Sequence, residues 1–162
     1  MKIIDAIGRL TAWLTLVMTV VTFVIVVLRY VFDAGFIWVQ ESVTWMHAMV
    51  FMLGAAYALQ HEEHVRVDIF YRGMSPRRRA VVDVLGVLLF LLPFCAYLVA
   101  ESWDFVAASW SIREASRESG GLPYPFVPML KSVLLVMPVL LGLQGLSLLL
   151  KSLRTLRMPA ER

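Results

Sequence analysis

Hydrophobic positions fall in four long runs, at residues 10–32, 40–59, 80–100 and 129–150, with polar stretches between them. Each run is about 20 residues long and mostly apolar, which at about 1.5 Å per residue crosses a hydrocarbon core of roughly 30 Å. The pattern predicts four transmembrane helices. The turn Asp33-Ala34-Gly35-Phe36 is so short that the first two spans form a tight antiparallel pair. Ser75-Pro76 predicts a helix start, with serine as cap and proline at the first helical position. Pro93 lies deep in the third run and predicts a kink there. Beyond Ala100 the charged residues Glu101, Asp104, Arg113 and Glu114 alternate with Trp103, Val106 and Trp110, the last three at i, i+3 and i+7. This spacing predicts an interfacial helical extension after the third span, with tryptophans at headgroup level and the pair Gly120-Gly121 as its stop.

Composition agrees. Hydrophobic residues make up 60% of the 162 positions, with a mean hydropathy of +0.76, against about 45–50% in soluble domains. The chain is read as an all-α integral membrane protein and a single membrane domain over residues 1–162. A signal peptide is the competing reading of the first run. That run is too long for a signal core, and Phe32-Asp33 breaks the cleavage pattern, so an uncleaved first span is expected. Cys95 is the single cysteine, so an intrachain disulfide, a c-type haem motif, a cysteine zinc site and an iron–sulfur cluster are excluded by counting.

Four spans sort the cations unequally. Lys2, Arg9, Arg66, Arg72, Arg77, Arg78, Arg79, Lys151, Arg154, Arg157 and Arg162 fall on one side, and Arg29, Arg113, Arg117 and Lys131 on the other. The richer side is expected to be cytoplasmic, with the N and C termini inside. This distribution accounts for a pI near 9.3 without nucleic acid, and no nucleic-acid partner is expected.

Several polar groups lie at or near membrane depth. Glu41, near the start of the second span, could meet Arg29 across the short turn, or both could reach into headgroups. His47, roughly 9 Å deeper at about 1.5 Å per residue, is read as hydrogen-bonding to a neighbouring helix in preference to serving a proton relay with Glu41. His61-x-x-His64 has the wrong offset for a zinc-protease pair, and only His47 lies deep enough to be a haem ligand. No metal site, cofactor, catalytic triad or phosphate loop is expected, and the chain is read as not an enzyme. Gly54 and Ala58 on the second span, and Gly142 and Gly145 beside Gln144 on the fourth, form small-residue faces that let helix backbones approach.

A family resemblance adds to this. Trp38-x-x-Glu41, Gly54-Ala55-Ala56-Tyr57, His64-Val65-Arg66-Val67-Asp68, Ser109-Trp110, Glu114-x-Ser116, Gly121-Leu122-Pro123 followed by Lys131, and Leu143-Gln144-Gly145 occur in this order. Over about Asp5 to Lys151 the chain resembles the small membrane subunit, the DctQ family, of tripartite ATP-independent periplasmic (TRAP) transporters. The resemblance implies a bacterial inner-membrane scaffold subunit, separate from its partners. It implies association with a large TRAP membrane subunit, which holds the substrate and ion sites, and with a periplasmic substrate-binding protein delivering an organic acid. Arg29, Trp38, Glu41, Trp45, His47, Arg66, Asp68, Glu114, Lys131 and Gln144 are then candidate structural or subunit-interface residues. Two alternatives stay open: a self-assembling four-helix carrier or channel, and a structural subunit of an unrelated membrane complex.

Overall fold

A computed structural model describes residues 2–61, 71 and 73–157. It contains α1 (Lys2–Val31), α2 (Ile37–Gln60), α3, built from Pro76–Gly86, a π-helical turn Val87–Leu91 and Leu92–Ser111, and α4 (Phe126–Arg157). Among the described residues there is no strand, and each of the four helices is long and apolar enough to cross a membrane. The chain is an all-helical, multi-pass membrane protein. Arg66 and Asp68, and His64 of the histidine pair, lie outside the described residues.

The helices form a row. α1 packs against α2, α2 against α4, and α4 against both halves of α3. α4 therefore carries the core: Pro128, Val133, Pro138, Leu141, Gly142, Gln144, Gly145 and Ser152 are all buried on it. Its small residues explain the close contact with α3. The Cα of Gly145 faces Leu91 and Val87 so closely that an added Cβ would strike the Leu91 methyl. Gly142 sits over Cys95, with 3.9 Å left for a Cβ.

Gly54, by contrast, meets nothing within 4 Å. Its face of α2, expected to bring helices together, is open in this chain.

The π-helical turn stands immediately before Pro93. Leu92 donates its N–H to Val87 O, five residues back, so the ladder is already wide where proline removes a donor.

α3 is 36 residues long, about 54 Å at helical rise, so it extends well past the hydrocarbon as the tryptophan spacing predicts. It stops at Ser111, nine residues before the glycine pair expected to stop it. The reason is local. Arg113 adopts the left-handed conformation (φ 49°), with Arg113 N–H donating to Trp110 O and Glu114 N–H to Ser109 O. This is a Schellman stop with arginine where glycine is usual. Residues 112–125 then fold as a compact loop over the start of α2.

At the other end of the α1–α2 pair, Gly8 lies against the Tyr57 ring. A Cβ there would overlap the ring. Gln60 Nε2 donates to Asp5 Oδ1 at 2.5 Å, His61 Nε2 lies 3.5 Å from the same oxygen, and the Tyr57 and His61 rings stack with centroids 4.1 Å apart. Gly8→Leu is expected to splay α1 from α2 and to cost about 1–3 kcal/mol, the range for overpacking, read as a lowered thermal-unfolding midpoint in detergent. An unchanged midpoint would show that this contact does not hold the pair.

Candidate functional site: a polar clasp at one end of the helices

The first turn of α2 has no side-chain cap at Phe36. Its orphan donors need partners from elsewhere. The loop supplies one: Trp38 N–H donates to Gly120 O at 3.1 Å. Gly120 reaches this position with φ 78°, a conformation that suits glycine.

Glu41, one turn further in, reverses the direction of support, since here the helix holds the loop. Its Oε2 accepts from Leu122 N–H at 2.6 Å, and its Oε1 accepts from the Ser116 hydroxyl. Ser116 Oγ in turn accepts from Glu118 N–H at 3.1 Å, and Ser116 N–H donates to Leu122 O at 3.0 Å. Gly121 sits in the middle of this knot. A Cβ on it would overlap Ser116 and come 2.8 Å from Glu41 Oε2. Trp45, one further turn along α2, donates its indole N–H to Phe126 O at 3.2 Å, tying α2 to the start of α4.

A second carboxylate locks α3 to α4. Glu114 accepts from Lys131 Nζ at 2.6 Å and from Ser109 Oγ at 2.6 Å, and Lys131 Nζ lies 4.0 Å from the centroid of Phe105, within cation–π range. Nearby, Trp110 Nε1 donates to Ser132 Oγ at 3.0 Å. The Lys131 ammonium and then the Ser109 hydroxyl hold the Glu114 carboxyl below the usual carboxylate range. A depressed folded-state pKa stabilises the fold above the unfolded-state value and loses that contribution as pH falls through the folded-state value. Acidification below the usual carboxylate range is therefore expected to loosen the loop, seen as a change in tryptophan emission near Trp110. Lys131→Met should move that transition to higher pH; an unmoved transition would exclude the pair as its source.

Beside the Glu41 clamp lies a cavity of about 230 Å³, lined by Glu41, Thr44, Trp45, Ser116, Leu122, Phe126, Val127 and Leu130. It is mostly apolar, and its one carboxylate already holds two donors.

The other expected residues fall apart from this clasp. Arg29, in the last turn of α1, is exposed, and Glu41 bonds the loop instead of Arg29. The Trp38 side chain is 53% exposed, and its backbone does the work. His47 is exposed and makes no hydrogen bond to another helix among the described residues. Gln144 is buried on α4, and its Oε1 has no partner there. Ser109, Ser116 and Ser132 complete the clasp without any sequence signal as bonding partners, because only the fold brings the loop over α2. Asp5 and Gln60 were equally unmarked, and Tyr57 was quoted only within a motif; all three meet at one end of the α1–α2 pair.

A row of four helices, each long and apolar enough to cross a membrane and clasped at one end by its own loop, defines a small helical membrane protein. Residues 18–155 match the family described as tripartite ATP-independent periplasmic transporters, DctQ component. The chain belongs to that family, that of the TRAP transporter small permeases. It is 28% identical over 88 residues to the C4-dicarboxylate TRAP transporter small permease protein DctQ of Vibrio cholerae, covering 54% of this chain and 38% of that one. It is 30% identical over 87 residues, 53% of each chain, to a protein of Haemophilus influenzae provisionally named a TRAP transporter small permease protein. The aligned segments thus span between about two-fifths and half the length of these curated relatives. No solved structure matches this chain.

Proposed function

We propose that this chain is the scaffolding small permease subunit of a TRAP-type secondary transporter in a bacterial inner membrane. In this reading its termini are cytoplasmic and its clasp is periplasmic. A large membrane subunit carries out ion-gradient-driven uptake of an organic acid, delivered by a periplasmic binding protein. The observation that carries the scaffold reading is the engagement of Glu41: each of its carboxylate oxygens accepts a hydrogen bond from the chain's own loop, at Ser116 and at Leu122. A carboxylate so engaged holds the loop to the helix.

The same reading assigns a face to the large subunit. His47, Phe51 and Gly54 lie on one side of α2 by helical spacing. Phe51 is 75% exposed, Gly54 meets nothing, and His47 is exposed at membrane depth. An imidazole facing hydrocarbon is costly, and a facing helix from a partner would satisfy it over the gap that Gly54 leaves.

The test is purification of the tagged full chain from native membranes in mild detergent, with co-purifying proteins identified by mass spectrometry. A larger polytopic membrane protein at near-equal amount is expected. His47→Leu with Gly54→Leu should reduce its recovery about three- to thirtyfold, the range for one interhelical hydrogen bond in a membrane, without changing the melting of this chain. Recovery of the chain alone as a stable homo-oligomer would refute the scaffold reading in favour of a self-assembling carrier.

A further inference from the structure

The membrane end opposite the clasp holds a groove that none of the above uses. It measures about 420 Å³ and is lined by Ser147, Leu150, Lys151, Arg154 and Thr155 of α4, with no carboxylate among them. At about 100° per residue, Leu143, Leu150 and Arg154 fall almost on one line, with Ser147 close beside it. Leu143, Leu146 and Leu150 are 46%, 44% and 59% exposed, and Arg154 is exposed with no ion pair among the described residues. A guanidinium therefore stands above an apolar stripe, Leu143 to Leu150, that covers about 10 Å at helical rise, room for the upper part of an acyl chain. Partway along the stripe, Ser147 makes no bond to a helix carbonyl, whereas Thr155 in the same groove donates to Lys151 O.

We propose that this groove binds one anionic phospholipid. The phosphodiester lies against Arg154, the glycerol region lies at Ser147, and an acyl chain runs along Leu150, Leu146 and Leu143. The guanidinium suits phosphate because its planar donors pair with two oxygens at once. The continuous leucine stripe below it favours a lipid over a free anion. The same stripe opens to hydrocarbon, which favours a lipid over an acidic protein segment.

Native mass spectrometry of the full chain, with whatever partner co-purifies, should show one retained phosphatidylglycerol after delipidation that phosphatidylcholine does not replace. Arg154→Gln should weaken that retention about fivefold, the effect of one cation at a membrane surface. Arg154→Lys should restore part of it, and Arg78→Gln, at the start of α3, should leave it unchanged. Equal losses in the Arg154 and Arg78 variants would overturn the site in favour of diffuse surface charge. Occupancy by glycerol 3-phosphate alone would overturn a lipid in favour of a free phosphate ester. Loss of a co-purifying protein from Arg154→Gln, with lipid retention unchanged, would make Arg154 a protein contact and likewise overturn the proposal.

Discussion

Replacing Glu41 with alanine is expected to release residues 112–125 from the helices and to destabilise the chain by about 2–4 kcal/mol. The estimate follows from two hydrogen bonds to one carboxylate, each worth about 1.5–3 kcal/mol, reduced because Glu41 is only half-buried. Losing the carboxylate also strands the Leu122 N–H, which has no other acceptor in the clasp, and frees Ser116 from the knot it forms with Glu118. Glu41→Gln should cost less than half as much, since its carbonyl can still accept from Leu122 and its amide can donate to Ser116. The measurement is hydrogen exchange of the loop amides together with the thermal midpoint. Loop protection that survives Glu41→Ala would remove the clasp from this account. An unchanged melt with an altered pH dependence of uptake would make Glu41 a proton carrier.

Gly121→Val should be the other severe change, costing about 1–3 kcal/mol from overpacking and more where it displaces Glu41. No positive φ is involved at this residue. The constraint is space: a Cβ overlaps Ser116 and reaches Glu41 Oε2 at 2.8 Å, so one substitution pushes apart two bonded groups. Because the two sites share a network, the double variant Glu41→Ala with Gly121→Val should lose less than the sum of the single losses. Strict additivity would mean that glycine and carboxylate act independently. Gly120→Ala makes a useful contrast, since its strain comes from φ 78° and not from crowding.

Most of the architecture could be read along the chain. Runs of about 20 apolar residues have few outcomes in a bilayer, because every backbone polar group must be satisfied within the segment. The four spans follow from that constraint, the start of α3 at Ser75-Pro76 from capping chemistry, and the prolongation of α3 past Ala100 from the spacing of Trp103, Val106 and Trp110. Glu41 was also legible, since charges at membrane depth are rare, whereas Glu114 was marked only by the family resemblance.

Their partners were not. Arg29 is close to Glu41 in sequence, and Ser116 and Leu122 are far from it, yet the loop meets the carboxylate. Arg113 turns left-handed at a position with no glycine to announce it, which ends α3 at Ser111 and folds the loop back. Sequence alone thus determined that the chain is a set of membrane-spanning helices, and which polar groups had to be accounted for. Only the tertiary structure decided that the helices stand in a row around α4, that Gly145 is filled while Gly54 is open, and that Glu41 and Glu114 bind their own loop and neighbour. The physical reason is that hydrophobic length acts within one helix, whereas a hydrogen-bond partner is selected by which segments the packing brings within about 3 Å.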